Sequence, residues 1–108
     1  MSTTSAKSRY IAERKLFASK KGSPRRTEVV FKISEPFVVN EGEVEFPVDG
    51  MAAGCRVVVD GLDEPAFDVY GMDTLQAVSI ASNIESLVKR LSSKFDFFWT
   101  TGEPYFDE

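Results

Sequence analysis

The side chains able to carry out chemistry are few in this 108-residue chain. It contains no histidine, which removes the commonest general base, the commonest zinc ligand and every Ser-His or Cys-His nucleophile system. The single cysteine, Cys55, opens a valine-rich segment in which only Arg56 is a nearby cation. A reactive thiolate needs a more electropositive setting, so Cys55 is expected to be a small buried hydrophobe. We therefore predict no catalytic residues and a protein that is not an enzyme. Acid chemistry by Asp or Glu in a pocket is the one enzymatic alternative left open.

Four carboxylates surround one predicted turn, in the sequence DGLDEPAFD: Asp60, Asp63, Glu64 and Asp68. The segment lacks the alternating oxygen ligands and the final glutamate of a calcium loop, and acids beside glycine and proline are ordinary turn formers. Gly71 stands alone between a strand and a helix and does not form a phosphate-binding loop. It is expected to supply an unusual backbone angle at a tight corner. We expect no metal and no cofactor.

The C-terminal segment FDFFWTTGEPYFDE holds six of the thirteen aromatic residues. Clustered aromatic side chains are more often core than binding site, so this tail is predicted to pack beside the helix, with Phe97 and Trp99 buried. Glu103 and Tyr105 are expected at the surface. Acidic residues border the aromatic ones, as in a charged interface with aromatic anchors. The predicted partner-binding residues are Trp99, Glu103 and Tyr105.

The net charge of −4 hides an asymmetry along the chain. Residues 1–32 contain nine Lys and Arg against two acids, and residues 33–108 contain four against fifteen. A basic arm of this kind suggests nucleic-acid binding as an alternative function, with Tyr10 and Phe17 as stacking residues. The overall acidity and the scatter of the cations make nucleic acid the less favoured partner. The basic candidates are Arg14, Lys15, Lys20, Lys21, Arg25 and Arg26.

The composition is that of one globular domain. Apolar residues make up 43% and charged residues 28% of the chain, too apolar for a disordered protein. No run approaches the roughly 20 apolar residues that span a bilayer, and the start has no apolar signal sequence. We expect a cytoplasmic protein without membrane contact, in which residues 1–8 are disordered and 9–108 form a single domain.

Four segments predict an antiparallel meander of about four strands. RYIAERKLFA and TEVVFKIS flank the turn sequence SKKGSPRR and predict a hairpin. CRVVVDGL and AFDVYG predict two further strands joined by a turn. The intervening segment, EPFVVNEGEVEFPVDGMAAG, indicates loops and one short edge strand. Unpaired edges between Glu35 and Gly54 leave two options open, a monomer or an edge-paired homodimer.

One long helix of about 20 residues is predicted after Gly71. Asp73 is a good N-cap, and Gln76 stands three residues later, as in a capping box. The helix is expected to end between Ser92 and Lys94. Together these elements predict an α+β protein with the helix on the sheet and the aromatic tail closing the core. The helix carries a continuous apolar stripe: Ala77, Ile80, Ala81, Ile84, Leu87, Val88 and Leu91.

The strand-to-helix segment VYGMDTLQA, together with FFWTTGEPYF, resembles a pattern of small uncharacterised bacterial α+β proteins. The resemblance covers roughly the last 40 residues and carries no established activity. Some similar small proteins are suspected of acting as immunity or antitoxin partners, which implies an inhibitory protein-binding module. The fifteen acids after Ile33 favour a basic protein as its partner. The matching residues are Tyr70, Gly71, Asp73, Gln76, Ala77, Trp99, Gly102 and Pro104.

Overall fold

The computed structural model describes residues 9–39 and 52–106, so the predicted disordered segment 1–8 lies outside the described residues. The α+β class and the antiparallel sheet are confirmed. Within these ranges there are two helices, α1 (Thr74–Ala81) and α2 (Ile84–Leu91). The strands are β1 (Tyr10–Lys20), β2 (Arg26–Ser34), β3 (Phe37–Val38), β4 (Ala53–Asp60), β5 (Phe67–Gly71) and β6 (Phe95–Phe98).

The strands lie in the order β6, β1, β2, β4, β5, and all the pairings are antiparallel. The four predicted strands are therefore neighbours in the predicted order. The sheet has six strands because the tail adds β6 beside β1, and β3 continues the line of β2 along β4. Ile33 lies opposite Val57, and Phe37 lies opposite Gly54. Most of the predicted Glu35–Gly54 edge, from 40 to 51, lies outside the described residues.

The core lies on the face of the sheet that the helices cover. Alternation along β1 and β2 places Leu16, Val29 and Phe31 on this face, and each is at most 1% exposed. Side chains of α1, α2 and β6 complete the same hydrophobic cluster. Period-two alternation in the strands and the three-to-four spacing in the helices thus converge on one core.

The side chains of Asp73 and Gln76 cap the N-terminal end of α1. Asp73 Oδ1 accepts a hydrogen bond from the backbone N–H of Gln76 at 2.8 Å. Gln76 Oε1 in turn accepts from the N–H of Met72 at 2.6 Å, one residue earlier than in a standard capping box. The predicted cap is therefore present, with its reciprocal bond shifted by one residue.

The single long helix predicted from the sequence is interrupted at Ser82 and Asn83. Ser82 ends α1, and its hydroxyl donates to the carbonyl of Ser79 at 3.0 Å. Serine and asparagine side chains compete with helical hydrogen bonds and favour helix ends. Each resulting helix has eight residues. Within the described residues, no helix is long and apolar enough to cross a membrane.

The apolar stripe continues across this interruption with one exception. Ala77 and Ala81 of α1 are buried with Ile84, Leu87, Val88 and Leu91 of α2. Ile80, predicted to face the sheet, is 43% exposed. Ile80 instead faces a cleft beside β5, the edge strand of the sheet. The stripe is thus narrower in α1 than its spacing predicted.

Gly71 is required for close packing and not for an unusual backbone angle. The described glycines with a positive φ are Gly22, Gly61 and Gly102. A Cβ on Gly71 would lie 2.6 Å from the backbone nitrogen of Ala77, closer than real contacts allow. Gly71 therefore lets α1 lie directly on the end of β5.

Candidate functional site

The aromatic tail folds back onto the sheet edge. Phe97 pairs with Ala18 of β1, and its ring centroid lies 6.1 Å from that of Phe31 in the core. The chain then turns, with Trp99 N–H donating to the carbonyl of Glu103 at 2.8 Å. On its return, the N–H of Tyr105 donates to the carbonyl of Phe97 at 2.8 Å. The predicted turn is present, and the tail closes one end of the core.

The burial predicted for Trp99 and Tyr105 is the reverse of what the structure shows. Trp99 was expected to be buried and is 38% exposed, whereas Tyr105 was expected at the surface and is 7% exposed. Strand β6 ends at Phe98, so the alternation that buries Phe97 does not continue into the core at Trp99. Tyr105 lies over the core instead, and its ring contacts that of Trp99 at a tilt of 44°, with centroids 4.7 Å apart.

Arg14 of β1 joins this aromatic pair to α2. Its Nη1 donates to the hydroxyl oxygen of Tyr105 at 2.6 Å and to Glu85 Oε2 at 3.2 Å. The Tyr105 hydroxyl donates to the same Glu85 oxygen at 2.8 Å. The Arg14 guanidinium carbon lies 5.5 Å from the centre of the Trp99 ring system, within cation–π range. Three side chains thus form a closed triangle beside an exposed tryptophan.

The Tyr105 hydroxyl keeps its proton at neutral pH. Burial raises the pKa of Tyr105 above its ordinary value, and the hydrogen bond to Glu85 raises it further, while Arg14 opposes both effects. Glu85 and Arg14 are substantially exposed at the surface, where an ion pair adds at most about 1 kcal/mol. The main effect of the triangle is therefore to fix the positions of Arg14 and Tyr105.

These five residues, Arg14, Glu85, Trp99, Glu103 and Tyr105, are named here the Trp99 surface. The sequence predicted the last three as partner-binding residues, and the Glu103 side chain is exposed as predicted. It missed Glu85 and placed Arg14 among the nucleic-acid candidates. One signal was available, because Arg14 shares the inward-facing positions of β1 with Leu16 and Ala18. A charged residue at such a position needs a partner.

Cys55 and most of the turn carboxylates, the two groups considered for chemistry, make structural contacts in the fold. Cys55 is fully buried, and its thiol lies 2.9 Å from the carbonyl oxygen of Ser34. Burial raises the pKa of Cys55, which disfavours the thiolate. Three of the four turn carboxylates face a cation: Asp60 with Lys32, Asp68 with Arg56 and Glu64 with Lys94.

Among the residues with described positions, no group of three or more metal-ligating side chains comes together.

Cations of the basic hairpin also contact other parts of the protein. Lys21 pairs with Asp96 at 2.6 Å, and the Arg26 guanidinium carbon lies 3.6 Å from the centre of the Phe98 ring. The ion pairs of Arg14, Lys21 and Lys32 all join the basic first third of the chain to its acidic remainder. The charge asymmetry of the sequence is thus partly balanced within the fold.

The interpretation of the Trp99 surface depends on this chain's own geometry. Comparison with models of protein families, with curated proteins and with solved structures finds no match to the chain.

Proposed function

We propose that this protein is a non-enzymatic binding module that recognises a basic protein partner through the Trp99 surface, in the manner of an immunity or antitoxin protein. The observation that carries the proposal is the exposure of Trp99 beside a fixed Arg14. Tryptophan, tyrosine and arginine are the residue types most enriched among binding hot spots. Here Trp99, Tyr105 and Arg14 are in mutual contact: the two ring centroids are 4.7 Å apart, and the Arg14 guanidinium carbon lies 5.5 and 5.9 Å from them.

The surface is ordered before any partner arrives. Arg14 is held by Tyr105 and Glu85, and Trp99 rests on the buried Tyr105 ring. Ordering a flexible side chain on binding costs about 0.5–1.5 kcal/mol, and here that loss is largely incurred during folding. The arrangement favours recognition of a rigid complementary surface.

The charge around Trp99 favours a basic partner. Glu85 is paired with Arg14, so Glu103 gives the Trp99 surface its net negative charge, and the whole chain has a formal net charge of −4. A negative rim around aromatic anchors accelerates association with a positively charged protein. The alternative, nucleic-acid binding by the hairpin, is less favoured because Arg14, Lys21 and Arg26 already contact protein groups.

Quantitative affinity capture from a lysate of the source organism tests this proposal. We expect the wild type to capture a basic protein. The captured amount should fall at least tenfold with Trp99→Ala, because a hot spot contributes about 2 kcal/mol or more. Leu75→Ala is the matched control, since Leu75 is 77% exposed on α1 and is not part of the Trp99 surface. Glu103→Gln should weaken the capture and its salt dependence.

Two outcomes would contradict the proposal. In the first, Trp99→Ala, shown by circular dichroism to be folded, captures the same basic protein as efficiently as the wild type. In the second, the captured material disappears when the lysate is treated with nuclease and returns with added nucleic acid, which would favour the hairpin as the functional element.

A further inference from the structure

A second surface feature borders α2 beside the Trp99 surface. It is an open cleft of about 510 Å³ between β5 and the two helices, within the roughly 300–1,000 Å³ typical of small-molecule sites. Glu85 of α2 contacts Tyr105 and Arg14, whereas the next residue, Ser86, lines the cleft. The two features therefore involve different residues of α2.

The walls of the cleft are apolar and partly exposed. Phe67 of β5 is 37% exposed and Ile80 of α1 is 43% exposed, and both face the cleft with Leu87 of α2. Two large apolar side chains in contact with water at a concave site favour an apolar ligand, since each Å² removed from water contributes about 25 cal/mol. The shape and polarity match an aliphatic or aromatic group.

A row of polar side chains runs along one border of this cleft. Asn83, Ser86 and Arg90 all line it, and their spacing of three and four places them on one side of α2. Asn83 makes no side-chain cap bond. Within the described part of the chain, none of the three side chains has a hydrogen-bonding or ionic partner. By contrast, Lys94, one turn after Arg90, pairs with Glu64 at 3.8 Å.

We propose that this cleft binds a small amphipathic monocarboxylate. The apolar part lies between Phe67, Ile80 and Leu87, and the carboxylate accepts hydrogen bonds from the Arg90 guanidinium, whose planar fork matches it. Glu64 also lines the cleft and is paired with Lys94, so Arg90 is the cation at the cleft that can pair with a single carboxylate. The proposed ligand thus has one negative charge and an apolar body, complementary to one free cation beside an apolar wall.

Octanoate is the probe for this site, followed by amide chemical shifts in a ¹⁵N-labelled full-length protein. We expect saturable shifts that cluster at β5 and at the helix residues bordering the cleft. Arg90→Gln should weaken octanoate binding about tenfold, as expected for loss of a charge-assisted hydrogen-bonded pair. Lys89→Gln is the matched control, because Lys89 is an exposed cation of the same turn that does not line the cleft.

The sign of the ligand charge provides the second arm of the test. Octylammonium has the same chain and the opposite charge, and it is expected to bind more weakly than octanoate to the wild type. The proposal is overturned if octanoate shifts do not saturate, if they spread over the sheet, or if Arg90→Gln and Lys89→Gln weaken binding equally. None of these results would affect the proposal for the Trp99 surface, which is tested by Trp99→Ala.

Discussion

Replacing Phe31 by alanine is expected to lower the free energy of unfolding by about 3–5 kcal/mol, as large-to-small changes of buried aromatic residues do. Phe31 is 1% exposed, lies in β2 at the middle of the core and contacts the ring of Phe97. Its removal leaves a cavity beneath both the helices and the tail. Since small domains are stable by only about 5–15 kcal/mol, much of the total stability is at stake.

Chemical denaturation followed by circular dichroism measures this effect. Phe67→Ala is the matched control, because Phe67 is a phenylalanine of the same sheet that is 37% exposed. It should cost clearly less than Phe31→Ala. Equal losses for the two variants would mean that the helix-covered face of the sheet is not the core.

Removal of residues 97–108 is expected to abolish stable folding. The deletion removes Phe97 and Tyr105, which are 5% and 7% exposed, and it exposes the core around Phe31. Loss of two buried aromatic residues exceeds what most small domains tolerate, and the uncovered apolar surface promotes aggregation.

Size-exclusion chromatography and circular dichroism distinguish the outcomes of this truncation. A control that lacks only residues 107–108 keeps every contact described for the tail and should remain folded. If the chain ending at Asp96 stayed monomeric and cooperatively folded, the tail would be an appendage of the domain and not part of its core.

Several elements of the fold were predictable because their periodicity is local. Valines 57 to 59 and the alternation in Val29 and Phe31 predicted β4 and β2, and Asp73 predicted the start of α1. Each depends on one strand face or one helix turn. The Gly71 position was recognised, although its reason, contact with Ala77, needs the three-dimensional structure.

The helix interruption was hidden by the apolar stripe itself. The spacing from Ala81 to Ile84 is three residues, which fits an unbroken helix, so hydrophobic periodicity gave no sign of an end. The signal lay in residue type, since Ser82 and Asn83 are both helix-capping residues. Placing more weight on this pair would have predicted two helices.

The exchange of Trp99 and Tyr105 was not predictable from alternation. Period-two spacing assigns Trp99 to the same face as Phe97, but that rule holds only while the strand continues, and β6 ends at Phe98. Tyr105 packs into the core cluster, and its hydroxyl is bound by Arg14 and Glu85, which are 91 and 20 residues away in sequence. Local alternation can indicate that Arg14 needs a partner, but it does not identify a residue so far away in sequence.

The fluorescence of Trp99, the only tryptophan, tests most directly the claim that the tail forms an ordered, half-exposed aromatic surface on the folded domain. We expect native emission at shorter wavelength than free indole, iodide quenching weaker than in a short peptide, and a denaturant transition that coincides with that of circular dichroism. Emission at the wavelength of free indole, quenched as in a peptide and unchanged across the unfolding transition, would contradict this account.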